Sequence, residues 1–134
     1  MNVLLLHLDG KLPNIALMRV AAHHRALGDR VELRRIGNAG RLAAVEAHLG
    51  DAFDRVYASA IFDLTRPLVQ RVLELRPDAV VGGTGVDVAR SLEDVGITTK
   101  EQDYSVYPDY AESIGFSLHA VYDKIDYSEP GVSA

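Results

Sequence analysis

Three short stretches hold the residue types from which a site is most readily built. His7, Asp9, Gly10 and Lys11 lie close together. They offer an imidazole for proton transfer or ligation, a carboxylate for a hydroxyl, and an ammonium for an anion. Ser59, Asp63 and Arg66 form a second group. There the carboxylate suits a hydroxyl and the guanidinium suits a phosphate or carboxylate. In the third, Val80-Val81 runs into Gly82-Gly83-Thr84-Gly85. Glycines at a helix start leave backbone N–H groups open to an anion.

Each stretch also has a plain structural use. The order Gly-Gly-Thr-Gly is neither Gly-x-Gly-x-x-Gly nor a Walker loop, and a tight strand-to-helix turn would need the same glycines. A histidine at the end of a buried strand is commonly hydrogen-bonded structure. Asp9 and Lys11 would pair with each other, and Asp63 or Thr65 would cap a helix. His23 and His24 are adjacent on a helix, so they point apart and cannot chelate one ion as an i,i+4 pair would; a surface role is expected for both. No nucleophile, base and orienting group fall together, and Ser59 has no histidine partner in the sequence.

The elements that must carry these residues follow from periodicity. Val3 to Leu8 is apolar except for His7, as in a central strand buried on both faces. Asn14 caps a helix carrying Ile15, Met18 and Ala22 at helical spacing, and Gly28 ends it. Val31 to Ile36 contains the apolar–polar alternation of a strand nearer the edge. A second helix runs from about Ala39 to Leu49 between Asn38 and Gly50. Arg55 to Phe62 reads as the third strand, and Thr65-Arg66-Pro67 opens a helix with core residues Leu68, Val72 and Leu75. Ala79 to Val81 is the fourth strand, Asp87 to Val95 a short helix, and Ile97-Thr98-Thr99 a possible fifth strand.

Strands alternating with helices imply right-handed crossovers and a parallel sheet. The expected fold is α/β, a three-layer Rossmann-like sheet of the flavodoxin type. Its strand order is 2-1-3-4, with a possible fifth strand. All three candidate stretches then meet at the carboxyl edge, where open α/β sheets bind ligands. Residues 1–100 form the α/β domain, 101–118 a tyrosine-rich segment with Tyr104, Tyr107 and Tyr110, and 119–134 a fraying tail. The tyrosines suit either a partner or ordinary packing.

Composition narrows the chemistry. The chain has 134 residues, no cysteine and a net charge of -5. A thiol nucleophile, a thiolate-held zinc and an iron–sulfur cluster are excluded from this chain. The acidic balance argues against a general nucleic-acid binder; Arg34, Arg35 and Arg41 read as a solvated face. Leu4-Leu5-Leu6 is far too short for a membrane span, and no basic region precedes it. A soluble, cytoplasmic protein is expected.

The order of segments resembles a known family. Met1 to Leu6, Leu12-Pro13-Asn14, Ala16 to Ala22, and Leu27 to Leu33 look like the start of a cobalamin (B12)-binding-like domain. The version resembled precedes the barrel in many radical S-adenosylmethionine proteins. Ser59-Ala60-Ile61-Phe62 and Gly82-Gly83-Thr84-Gly85 sit where that domain has its third- and fourth-strand signatures. Tyr104 to Pro108, then Ser113 to Ser117, is similar to the run-in to the barrel. The resemblance covers about residues 1 to 117.

Beyond that point the chain departs from the pattern. Leu118-His119-Ala120-Val121 stands where the cluster-binding cysteines would follow, and the Asp-x-His-x-x-Gly motif that ligates cobalamin is missing. The resemblance therefore implies a binding or interaction module without catalysis of its own. Ligand contacts would come from Asp9, Gly10, Lys11, Ser59, Asp63, Arg66, Gly82, Gly83, Thr84 and Gly85. Cobalamin, if bound, would lack a histidine ligand. Partners would be a second copy or a separately encoded radical S-adenosylmethionine barrel. The alternatives are a small flavodoxin-like nucleotide- or phosphate-binding protein or enzyme, and a structural homodimer.

Overall fold

The strand β1, Asn2–His7, lies at the centre of a parallel sheet, and every residue from Val3 to His7 is buried. The computed structural model describes residues 1–10, 12–36, 42–49, 52–62, 65–83 and 91–108, with the backbone alone at 42–44. Around β1 the chain adds α1 (Ile15–Ala26), β2 (Arg30–Arg35), α2 (Leu42–Leu49), β3 (Arg55–Ser59), α3 (Arg66–Leu75) and β4 (Val80–Gly82). The strand order is β2-β1-β3-β4. It is the expected α/β Rossmann-like sheet, with β2 at one edge and half-exposed along its length.

Register divides the side chains between two faces. Leu4, Leu6 and Leu8, with Val56, Ala58 and Val81, form one apolar cluster with Val45 and Leu49 of α2 and Leu68, Val69 and Val72 of α3. The alternate residues belong to the face that carries α1. There Tyr57 is paired in register with Val80, and Ser59 with Gly82.

Local chemistry sets the helix ends. Asn14 is extended (φ -92°, ψ 115°), and its Oδ1 accepts the Leu17 N–H at 3.0 Å, as a helix N-cap does. That frame puts Ile15 in the first turn, 57% exposed, and the core face becomes Leu17, Met18, Val20, Ala21 and His24. The expected trio of Ile15, Met18 and Ala22 thus keeps only Met18 as a buried residue. In α3 the core residues are Leu68, Val69 and Val72, while Leu75 stays exposed beside the terminating Arg76-Pro77. Thr65 precedes α3 but makes no side-chain cap. Its hydroxyl is given to Asp9.

Two expected elements change. The third strand stops at Ser59: the Ala60 N–H still bonds the Gly82 carbonyl at 3.1 Å, and beyond it the Ile61 and Phe62 N–H groups turn to Asp9. Residues 97–100 form no fifth strand. Ile97 is instead fully buried, and its N–H bonds the Leu92 carbonyl at 2.9 Å, after a 3-10 turn at Glu93–Val95. Of the expected helix from Asp87 to Val95, the described residues 91–95 hold only that 3-10 turn; residues 87–90, the Asn38 and Gly50 boundaries, Tyr110 and everything beyond it lie outside the described residues. The chain divides into two units, Met1–Asp103 and Tyr104–Ala134. The described part of the second is a 3-10 turn, Tyr104–Val106, closed by the Tyr107 N–H on the Tyr104 carbonyl at 2.9 Å.

Gly83 shows why the fourth strand ends as it does. Its φ is +106°, and a Cβ there would sit 2.1 Å from the Ala60 carbonyl oxygen. Backbone passes backbone at this point, so the glycine serves the turn itself. Gly28, at φ +84°, has open space around its missing Cβ. Gly83→Ala should therefore lower stability by about 3 kcal/mol or more, through clash and strain together. Gly28→Ala should cost about 1 kcal/mol, from the left-handed backbone alone. Urea unfolding of the two variants measures the difference, and equal midpoints would refute the close approach.

Candidate functional site

The first-strand loop is held shut by its own aspartate. Asp9 is 4% exposed. Its Oδ1 accepts the Ile61 N–H at 2.7 Å, its Oδ2 accepts the Phe62 N–H at 2.9 Å, and the Thr65 hydroxyl adds a third donor. One carboxylate so joins the loop after β1 to the loop after β3. His7, 1% exposed, places Nε2 2.8 Å from the Gly10 carbonyl and donates to it. Burial holds its pKa below the ordinary imidazole value.

An open cleft lies on the α1 face. It measures about 540 Å³ and is bounded by α1, by the carboxyl ends of β3 and β4, and by Ser91–Glu93. Its floor includes the register-paired residues Tyr57, Ser59, Val80 and Gly82. Asn14 bridges wall and floor: Nδ2 donates to Ser59 Oγ at 2.7 Å while Oδ1 caps the helix. Ser59, 5% exposed, thus accepts from Asn14 and keeps its own O–H as a donor. Arg19 stands on the α1 wall, giving Nε–H to the Thr99 carbonyl at 2.8 Å.

Of the residues singled out in the sequence, Ser59, Gly82 and Gly83 line this cleft. Asp9 and Gly10 lie in the adjoining loop, Gly10 against Ile61. Arg66 is exposed at the first turn of α3. Lys11, Asp63, Thr84 and Gly85 lie outside the described residues. Asn14, Arg19 and Tyr57 were missed as site residues. As a sequence residue Asn14 reads only as a cap, and the crossing of α1 over β3 gives it a second use. The expected solvated arginine face is partly structural. Arg34 lies 5.2 Å over the Phe53 ring and donates to the His48 carbonyl at 2.9 Å; Arg41 is outside the described residues.

His24 corrects the expectation of a surface histidine. It is 4% exposed, with Nδ1 2.8 Å from Asp29 Oδ2 and Nε2 2.8 Å from the Tyr57 hydroxyl. The neutral ring donates from Nδ1 and accepts at Nε2. Asp29 also accepts from the Met1 ammonium at 2.9 Å. The missed signal was position: in the last turn of α1, His24 faces the sheet. His23 meets His24 edge-on, with ring centroids 5.0 Å apart. Among the described residues no group of three His, Asp or Glu could hold a metal ion, and no helix is long and apolar enough to cross a membrane.

Comparison with protein-family models, curated proteins and solved structures finds no match for this chain.

Two outcomes follow from the buried groups. Asp9→Ala leaves the Ile61 and Phe62 N–H groups without their acceptor, while the Thr65 hydroxyl still has the Phe62 carbonyl at 2.9 Å. Water reaches the exposed Ile61 and Phe62, so the expected loss is about 2 kcal/mol rather than the full sum. Thr65→Val, which removes one donor, should cost about 1 kcal/mol in urea unfolding; equal losses would contradict a shared carboxylate. For His24, burial lowers the folded pKa, against the Asp29 bond that raises it. Folding then favours the neutral ring. Its contribution is present above the unfolded value of about 6.5 and is lost as pH falls through the folded value. The urea midpoint should drop between pH 7 and pH 5, roughly the range of an imidazole with lowered pKa, with His7 acting in the same sense. His24→Gln should flatten part of that drop; an unchanged profile would show that His24 does not titrate with folding.

Proposed function

We propose that this chain is a small-molecule-binding module, of the cobalamin-binding-like kind, with no catalysis of its own. The observation that carries the reading is the cleft on the α1 side of the carboxyl edge. It has the size and the largely apolar lining with a few placed polar groups that ligand sites share. Ser59 and Gly82, from the two strand-end signatures of the resemblance, lie side by side in its floor. Ser59 receives the Asn14 amide, and among the described residues His7 and His24 are held by structural hydrogen bonds.

The same edge carries exposed apolar side chains at Leu12, Ile15, Ile61 and Phe62. A partner seated there, a second copy or a separately encoded radical S-adenosylmethionine barrel, belongs to the same proposal. One observation favours the phosphate-binding alternative. The start of α1 opens on the cleft at Ala16, with no acidic residue in its first turn, and a helix start favours anions.

Titration with cobalamin, followed by visible absorbance and calorimetry, separates the readings. A saturable isotherm, weakened roughly fivefold in Ser59→Ala by loss of one hydrogen bond, is the expected result. No spectral change and no heat at high micromolar concentration would exclude cobalamin. Stabilisation by a nucleotide, flavin or sugar phosphate in a thermal-shift screen would then favour the alternative.

A further inference from the structure

Arg19 is the one cationic side chain among the described residues lining the cleft. Its side chain is only 17% exposed. It gives Nε–H to the Thr99 carbonyl and reaches Glu93 Oε2 through Nη2 at a long 3.3 Å. Among the described residues its remaining guanidinium hydrogens meet no other acceptor. A guanidinium offers five donors in a planar fork suited to carboxylate and phosphate, so most of this fork is unspent beside an apolar cavity.

The Glu93 contact is easily exchanged. Glu93 is 54% exposed, and a pair so hydrated is weak. It also has a second cation, Lys100, at 3.9 Å, so the carboxylate keeps a partner when Arg19 leaves it. Arg19 itself cannot swing far, because the Thr99 bond fixes its Nε. It lies one turn along α1 from Ala16, and both line the same wall. An anion there would meet the guanidinium and the positive end of the helix together. The neighbouring surface, from Leu17, Val20, Val80 and Leu92, is apolar.

We propose that Arg19 is the anion-recognising residue of the cleft. The ligand is an amphipathic small molecule whose carboxylate or phosphate head displaces Glu93 and whose apolar body lies across the floor. The proposal rests on the reading of the cleft as a ligand site, and the test separates the two. The full chain is titrated with 8-anilinonaphthalene-1-sulfonate, which is anionic, and with N-phenyl-1-naphthylamine, its neutral counterpart. Fluorescence gives affinity, and backbone amide shifts at Ala16, Ser59 and Gly82 report whether the cleft is the place.

The anionic probe should bind about tenfold more tightly, the equivalent of one charge-assisted hydrogen bond. Arg19→Gln should erase that preference and leave the neutral probe unchanged. Arg19→Lys should retain part of it, and serves where the glutamine variant does not fold. Glu93→Gln, which removes the competing carboxylate, should tighten the anionic probe about threefold. Hexanoate and hexyl phosphate should each displace that probe, and the stronger competitor assigns the head group. Equal affinity for both probes, with shifts in the cleft, would overturn the role of Arg19 and leave the cleft a ligand site. No cleft shift with either probe would overturn both.

Discussion

The carboxylate of Asp9 fixes the geometry of the whole carboxyl edge. It gathers donors from Ile61, Phe62 and Thr65, so two loops far apart in sequence become one surface. A buried carboxylate is costly unless its oxygens are hydrogen-bonded, and here both are. These bonds follow one residue after the last sheet-directed N–H of this segment, Ala60 on the Gly82 carbonyl. Asp9 has therefore little left to offer a ligand. The accessible chemistry moves to the other side of the sheet, under α1.

The two faces of the sheet are covered unequally. On one, α2 and α3 pack together over an apolar cluster that reaches from β1 to β4. On the other, α1 crosses β1, β2 and β3. Among the described residues, the irregular segment from Ser91 to Asp103 also lies against α1. That segment is tied to α1 by Arg19 on Thr99, by the Asp103 N–H on the Met18 carbonyl at 3.0 Å and by Arg25 with Asp103. Ile97 is its apolar anchor. The cleft lies between this strap, α1 and the ends of β3 and β4.

Much of the fold was legible because it depends on short-range pattern. The uninterrupted apolar run of β1, the alternation in β2, and the caps at Asn14 and Gly28 each report a local physical need. Together they suffice for strand order. The helix faces were less legible. The phase of α1 decides whether Ile15 or Leu17 is buried, and the frame is set by the cap at Asn14. The site was half legible. Ser59 and the glycines stand at strand ends, where sequence reasoning looks first. Arg19, Tyr57 and Asn14 lie within or before ordinary elements, and their meeting depends on how α1 lies across the sheet. His24 was misread for the same reason, since its two partners come from Asp29 and from β3.

The contact between Gly83 and the Ala60 carbonyl has a consequence for how related chains should be compared. A position that admits no side chain is held by folding alone, whatever the protein binds. Glycine at 83 would persist among descendants that had lost every ligand, and its persistence would be silent about function. The informative positions are those the backbone leaves unconstrained. Selection for a ligand would be visible where Ser59 and Arg19 outlast the drift of their neighbours.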